Sequence, residues 1–334
     1  MTLSIIVDVM GGDNSPGAAL SAVRDFHCSN SEIDLILVGD SDLISKHLKD
    51  FNPKNASSIE VVHADDNITM KDSPASSYRK KRGSSIHTGL EILSKGGGDA
   101  FFSVGNTGAI LTGAYFILKL IPSISRPALA VSFNSFSGRK VLALDMGVNV
   151  EVSSENLLDF ARMGSVVSPF INETSNPEIA LLNIGEEEGK GKKIISEAYS
   201  KISSYSSNFT GYIEPHHIFD KPSADVIVTD GFTGNVMLKT VEGISEAVSG
   251  MFRTTLNDGI YKDIVHKSIS RFNYTIYGTG ILLGVEGLIG IGHGRSNSIA
   301  FKSGLKKMKW YLENDVHKKF REKIVHEKRD RSER

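Results

Sequence analysis

The stretch Ala224–Thr240, ADVIVTDGFTGNVMLKT, decides how the rest of the chain is read. Its first half, Ala224 to Thr229, is a continuous apolar run of the kind that fills a strand buried on both faces. From Asn235 onward the apolar residues return at helical spacing. Between them, Asp230-Gly231-Phe232-Thr233-Gly234 breaks the pattern, so the stretch predicts a strand, a turn and a helix. A unit of that kind repeated along a chain predicts a parallel sheet with crossover helices.

The unit does recur. Leu3–Met10, Ile33–Gly39, Ile59–Ala64 and Ala100–Gly105 read as buried strands, and LAVSF, VLALDMG and IALLNIG continue the series. Helices are expected over 15–27, 84–94, 106–120, 154–171 and 192–203, from about 235 through 272, and in the charged C-terminal 306–334. The first opens on Asn14, Ser15 and Pro16 and sets Leu20, Val23 and Phe26 on one face. No internal repeat or low-complexity linker interrupts the pattern. The chain is therefore read as one α/β unit over 1–334, with a helical extension at 244–275 for dimer or membrane contact.

Bulk composition narrows the classes. The 334 residues are 40% hydrophobic, enough for a substantial core, and 38 Lys+Arg against 39 Asp+Glu give a net charge of -1. Nothing global favours nucleic acid as a partner. A single cysteine, Cys28, excludes an intramolecular disulfide or a cysteine zinc cage, suits a reducing cytoplasm, and is expected to be buried at the end of the first helix. The N-terminus reads as a strand rather than a secretory signal. Ala109–Ile121 and Ile281–Ile291 are too short to span a bilayer and carry Lys119 and Glu286.

In open parallel sheets, ligands gather beyond the carboxyl ends of the strands. Five strand-to-helix turns here are rich in Gly, Asn and Asp: Asp8–Pro16, Val104–Ala109, Asp145–Asn149, Asn183–Lys192 and Thr229–Asn235. Any one could be a tight turn and no more; together they predict backbone N–H groups that hold an anion at helix starts. Familiar signatures are absent. Gly11-Gly12 lacks the G-x-G-x-x-G spacing, and Gly185 and Gly189 are one residue too close for a phosphate loop, with no Ser or Thr after Lys190. Gly294–Ser298 misses the last glycine of a nucleophile elbow. No H-E-x-x-H occurs, and adjacent His216 and His217 would point apart on a strand. The pattern offers anion-holding turns without a covalent nucleophile or metal cage, which suits a reaction whose nucleophile is bound phosphate.

Taken in order, DVMGGDNSP, YRKKRGSSI (Tyr78–Ile86), GNTGA, RPAL, NIGEEEGKG, ADVIVTDGFTGNVMLKT, LLGVEG and HGRS (His293–Ser296) resemble the phosphate acyltransferases of bacterial phospholipid synthesis over most of the chain. The resemblance implies a three-layer α/β/α sandwich, Rossmann-like, of the isopropylmalate dehydrogenase and phosphotransacetylase group, with a protruding helical pair and a homodimeric state. It implies transfer of a long acyl chain from acyl carrier protein to inorganic phosphate, with acyl phosphate as product and no metal or organic cofactor. Three stretches depart from the family: Val148 stands in Asp145–Asn149 where alanine is usual, Gly278-Thr279-Gly280-Ile281 replaces Gly-Gly-Ala-Pro, and Tyr212–His217 lacks the glycine that normally follows Ile-Glu.

Attack of phosphate on a thioester needs a held dianion, a donor for the developing oxyanion and a tolerable leaving group; a thiol of pKa about 8.5 leaves as thiolate with little help. Lys190 is the candidate for charge, with Lys192 as its alternative. Asn235 either caps the helix it begins or donates to the oxyanion; the residues alone favour the cap, and the resemblance favours the donor. The expected phosphate and substrate ligands are Asp8, Gly11, Gly12 and Asp13 in the first turn, and Arg79, Ser84 and Ser85 in the basic loop. Asn106, Thr107 and Gly108 follow in the second turn, and Asp230, Gly231, Thr233, Gly234 and His293 complete the set. Arg79, Lys80, Lys81 and Arg82 suit either phosphate or docking of the acidic carrier protein. The stripe Ile260, Ile264, Phe272 with flanking Arg253 and Lys262 suits dimer packing or an anionic membrane near a membrane-bound glycerol-phosphate acyltransferase. The location expected is cytoplasmic, with peripheral association to the inner face of the cell membrane. Rival readings are a phosphotransacetylase-like enzyme on short acyl-CoA, a decarboxylating dehydrogenase on the same fold, and a non-catalytic scaffold for lipid enzymes.

Overall fold

The computed structural model describes residues 2–49, 51, 58–172, 174–187, 189–220, 223–255 and 279–332. Contacts divide the chain into two compact units, Met1–Ile121 with Gly278–Lys319 and Pro122–Tyr277 with Phe320–Arg334.

In the first unit the strands are β1 (Ser4–Asp8), β2 (Asp34–Gly39), β3 (Ile59–His63), β4 (Ala100–Ser103), β10 (Gly280–Leu283) and β11 (Leu288–Ile291). They stand in the order β3-β2-β1-β4-β11-β10, parallel except for the antiparallel β10/β11 pair. Its helices include α1 (Gly17–His27), α2 (Ser41–Leu48), α3 (Pro74–Lys80), α4 (Ser85–Ser94), α5 (Thr107–Gly113) and α9 (Ser298–Glu313). Neighbouring Phe101 and Phe102 point to opposite faces of the sheet. A side chain at Gly89 of α4 would meet Phe101, and one at Gly304 of α9 would meet Phe102, so helices cover both faces and the layering is α/β/α.

The second unit holds β5 (Ala128–Asn134), β6 (Lys140–Leu144), β7 (Ile179–Leu182), β8 (Phe209–Ile213) and β9 (Val226–Val228) in the order β5-β6-β9-β7-β8. Only β5 and β6 run antiparallel. Helix α6 (Ser154–Asn172) lies on β6 and β9, where Gly164 leaves room for Leu144 and Val226. Helix α7 (Lys193–Tyr205) packs beside it, α8 (Gly231–Thr255) follows β9, and α10 (Val316–Ser332) is the last helix described.

Several expectations change. The strand at Ile59 is the sheet edge rather than a buried strand, with Val61 39% exposed. Cys28 is exposed; its neighbour His27 occupies the buried side of α1 instead. The segment expected as one C-terminal helix from 306 belongs to two, because Asp315 at φ 52 interrupts it. His216 and His217 lie in a turn after β8 with ring centroids 3.9 Å apart, not on opposite faces of a strand. The helix expected over 106–120 is α5 followed by a π turn at Ala114–Leu118. Of the extension at 244–275, residues from 256 lie outside the described residues, as do Ile260, Ile264 and Phe272.

Candidate active site

In each unit the parallel strands bring their carboxyl ends to one edge, and the turns singled out in the sequence lie there. In the first unit the turns after β1, β4 and β11 interlock. Asp8, fully buried, accepts N–H bonds from Met10 and Gly11 at 3.0 Å each, and the Ser103 hydroxyl donates to it at 2.6 Å. Burial pushes its carboxyl above the usual range and these donors pull it back. Ser85 also faces this carboxylate but lies outside hydrogen-bond geometry, and its hydroxyl has no partner among the described residues. Asp13 N–H donates to the Gly294 carbonyl at 2.7 Å, beside His293, whose Nδ1 accepts the Arg295 N–H at 3.2 Å. Gly12, at φ +86 and tight against Val104 and the Gly294 backbone, must be glycine.

Asn106 is the N-cap of α5, accepting from Ala109 N–H at 3.1 Å, and its amide donates to the Thr69 and Asp72 carbonyls. Asp8 and Asn106 are therefore committed to holding their own loops, and neither is open to a phosphate. Gly108 packs against Pro74 at the start of α3. Ser84 caps α4 through His87 N–H. Of the basic loop, Tyr78 is buried and Lys81 is tied to Asp72 at 3.2 Å, while Arg79, Lys80 and Arg82 are exposed.

In the second unit the turns after β6, β9 and β7 stand side by side, in the order of their strands. Asp145, which the sequence reading left off its ligand set, organises them. Its Oδ1 accepts from Leu129, Gly147 and Val148 N–H at 3.0 to 3.2 Å, and its Oδ2 from the Asn149 N–H and side-chain amide at 2.7 Å each. Burial raises its pKa, and the hydrogen bonds from these five donors act against that rise. Its signal was the Asp–Asn spacing of four in a glycine turn, read there as a departure from the family and not as a scaffold.

Asp230 is the N-cap of α8. It accepts from Thr233 N–H and Thr233 Oγ1, both at 2.8 Å, and its carbonyl receives Gly234 N–H at 2.9 Å. Gly231 N–H is used by the Asn149 carbonyl at 2.8 Å, and a Cβ on Gly234 would run into the Asp145 carbonyl. Three of the first four amides are thus spent, and Phe232 N–H is left open among the described residues. Asn235 is the fifth residue of the helix, not its cap; its exposed side chain has no hydrogen-bond partner among the described residues and lies against Gly147.

Lys190 lies over Gly185, half exposed, with its Nζ 2.7 Å from Glu187 Oε1. Asn183 latches this loop by donating to the carbonyls of Gly185 and Lys190, at 3.1 Å each. Lys192 stands at the N-cap position of α7 without a side-chain cap bond. The same edge also carries exposed apolar side chains: Val150 (67%), Ile184 (78%) and Phe232 (58%), one from each of the three turns. No cluster of three or more His, Cys, Asp or Glu suited to a metal is found among the described residues, and no helix there is long and apolar enough to cross a membrane.

The family model described as "Fatty acid synthesis protein" matches residues 3–319. A phosphate acyltransferase of Halothermothrix orenii is 36% identical, covering 94% of this chain and 96% of its own. One from Dichelobacter nodosus is 38% identical, over 93% of this chain and 92% of its own. Among solved structures, a phosphotransacetylase from Streptococcus pyogenes matches with a TM-score of 0.61 at 15% identity, covering 93% and 94% of the two chains, which supports the Rossmann-like α/β fold alone. On the near full-length match at this identity, the chain belongs to the phosphate acyltransferase family of fatty acid synthesis proteins and is an acyltransferase.

Proposed function

We propose that the protein joins inorganic phosphate to a long acyl chain delivered as a thioester on acyl carrier protein. A phosphate oxygen attacks the thioester carbon, the C–O bond forms as the C–S bond breaks, and the thiolate leaves to take a proton from water, giving acyl phosphate and free carrier. The observation that carries this reading is the mixed character of one edge of the second unit. Open polar donors at Phe232 N–H and Asn235, and the half-exposed Lys190 paired with Glu187, stand on the same three-turn edge as the exposed apolar Val150, Ile184 and Phe232.

Lys190 meets the phosphate charge after leaving Glu187, and the Asn235 amide donates to the oxyanion. Gly231, Thr233 and Gly234 shape the helix start, and Thr107, Gly108, Arg79 and Ser85 are the remaining candidates for anion contact in the first unit. The carrier docks on Arg79, Lys80 and Arg82. Homodimer formation and membrane contact, with hand-over of product to a membrane-bound acyltransferase, are assigned to the apolar residues of α8 beyond Val248, including Met251 and Phe252, which are exposed.

The test is purified protein with palmitoyl carrier protein and phosphate, with hydroxylamine trapping of the acyl phosphate as hydroxamate. Product that requires phosphate is expected, with kcat about 10²–10³-fold lower in Asn235→Ala and a raised KM for phosphate in Lys190→Ala. Absence of product, or product from acetyl-CoA alone, refutes the assignment.

A further inference from the structure

Helix α8 also carries an apolar stripe that lines a cleft. Thr233, Val236, Met237, Thr240, Ile244 and Val248 recur every three to four residues and form one wall of a cleft of about 760 Å³. The opposite wall is Leu182 at the end of β7 with Phe136 and Phe219, the latter bonded through its carbonyl to Phe136 N–H at 2.7 Å and stacked on Phe133. His216 and Pro215 close one side. Val236 and Ile244 remain 51% and 58% exposed in the cleft, so large apolar side chains face water there. A contiguous apolar surface of that kind marks a binding site.

The place of the cleft narrows its occupant. It begins at Thr233, whose hydroxyl is held by the Asp230 cap, at the turn that carries the Phe232 N–H and precedes Asn235. From there to Val248 it follows 15 helical residues, about 22 Å. A ligand that fills it must have a polar head at one end and a long unbranched apolar tail. Branched or bulky apolar groups would not follow a helix groove, and a carrier protein's acidic surface finds no cation among the lining residues. We propose that this cleft holds the alkyl tail of the substrate and that the residues of α8 beyond Thr233 set the longest chain accepted. The proposal rests on the acyltransferase reading above.

Thr240 and Ile244 are exposed positions on a helix, where a larger side chain is tolerated by the fold. The experiment compares wild type, Thr240→Trp and Ile244→Trp with octanoyl and palmitoyl carrier protein as donors, measuring kcat/KM for each donor and KM for phosphate. Each methylene denied burial weakens binding, so palmitoyl transfer should fall roughly 100-fold in Thr240→Trp. The fall should be smaller in Ile244→Trp, which blocks the cleft one turn further along. Octanoyl transfer and KM for phosphate should stay close to wild type in both. An unchanged chain-length profile, or equal loss with both donors, overturns the assignment while the wild-type activity stands. A change in sedimenting mass with an unchanged profile gives the cleft to a second copy of the chain. No acyl phosphate from wild type with either donor refutes the underlying reading instead.

Discussion

Lys307, in the middle of α9, has its Nζ enclosed, donating to the Thr279 carbonyl at 2.7 Å and 6.0 Å from the Tyr311 ring centre. No carboxylate balances it among its described partners, and burial lowers its pKa from 10.5 to about 8, although its stem is partly open to solvent. Between those values the unfolded chain holds a proton that the folded chain has released, so stability rises with pH across that window. Urea unfolding of wild type and Lys307→Met should therefore diverge, wild type gaining up to about 3 kcal/mol on the variant from pH 7.5 to 10. Parallel curves would show that the ammonium is not desolvated. At this scale the sequence was least legible. Cys28 and His27 are adjacent, and which of them the helix buries depends on the face set by α9 and not on local chemistry. Asn235 looked like a cap because the break before it ends there, but the helix begins at Gly231, where Asp230 supplies the cap and Asn235 is left to face outward.

At the scale of elements, the strand-turn-helix reading of 224–240 holds, with the turn shorter than expected. Asp230→Ala removes the acceptor for Thr233 N–H and its hydroxyl, and should cost about 1 kcal/mol in the urea midpoint by freeing the first turn of α8. A loss below experimental error would mean that the Gly231 and Gly234 contacts suffice. Strands with continuous β-branched or aromatic runs were readable: β1, β2, β4, β6, β7 and β9 all fall where the pattern placed them. The antiparallel pair β10 and β11 was not, because Gly284, Gly287 and Gly290 break its periodicity and only pairing across a tight turn makes it a sheet. Helix α3 was hidden by its charge run, YRKKR, which masks the one buried residue, Tyr78. The apolar stripe of α8 is present in NVMLKTVEGI at spacings of three and four, where Lys239, Thr240 and Glu242 interrupt it and make it less conspicuous than the stripe after Met251.

At the scale of the molecule the charge is nearly balanced, so any attraction for an acidic carrier must come from a local patch. Arg79, Lys80 and Arg82 are exposed within four residues, and the neighbouring cation Lys81 is already neutralised by Asp72 and Asp66. The rate with carrier-bound donor should fall several-fold as salt rises from low to about 0.3 M, while that with an uncharged pantetheine thioester should hold steady. Reversal of Arg79 and Arg82 to glutamate should flatten that salt dependence without changing KM for phosphate; an unaltered slope would place docking elsewhere.

The interleaving of the two units also bears on how the chain is made. All five strands of the second unit lie within 128–228, whereas β4 of the first unit waits for β11 at 288–291 as its second neighbour. Residues 104–287 are translated between them, which at about 5–20 residues per second takes roughly 10–40 s. Throughout that interval the nascent first unit carries an open backbone edge at Phe101 and Phe102, the kind of edge that can template unwanted strand pairing. The unit whose strands emerge first is the last to close its sheet.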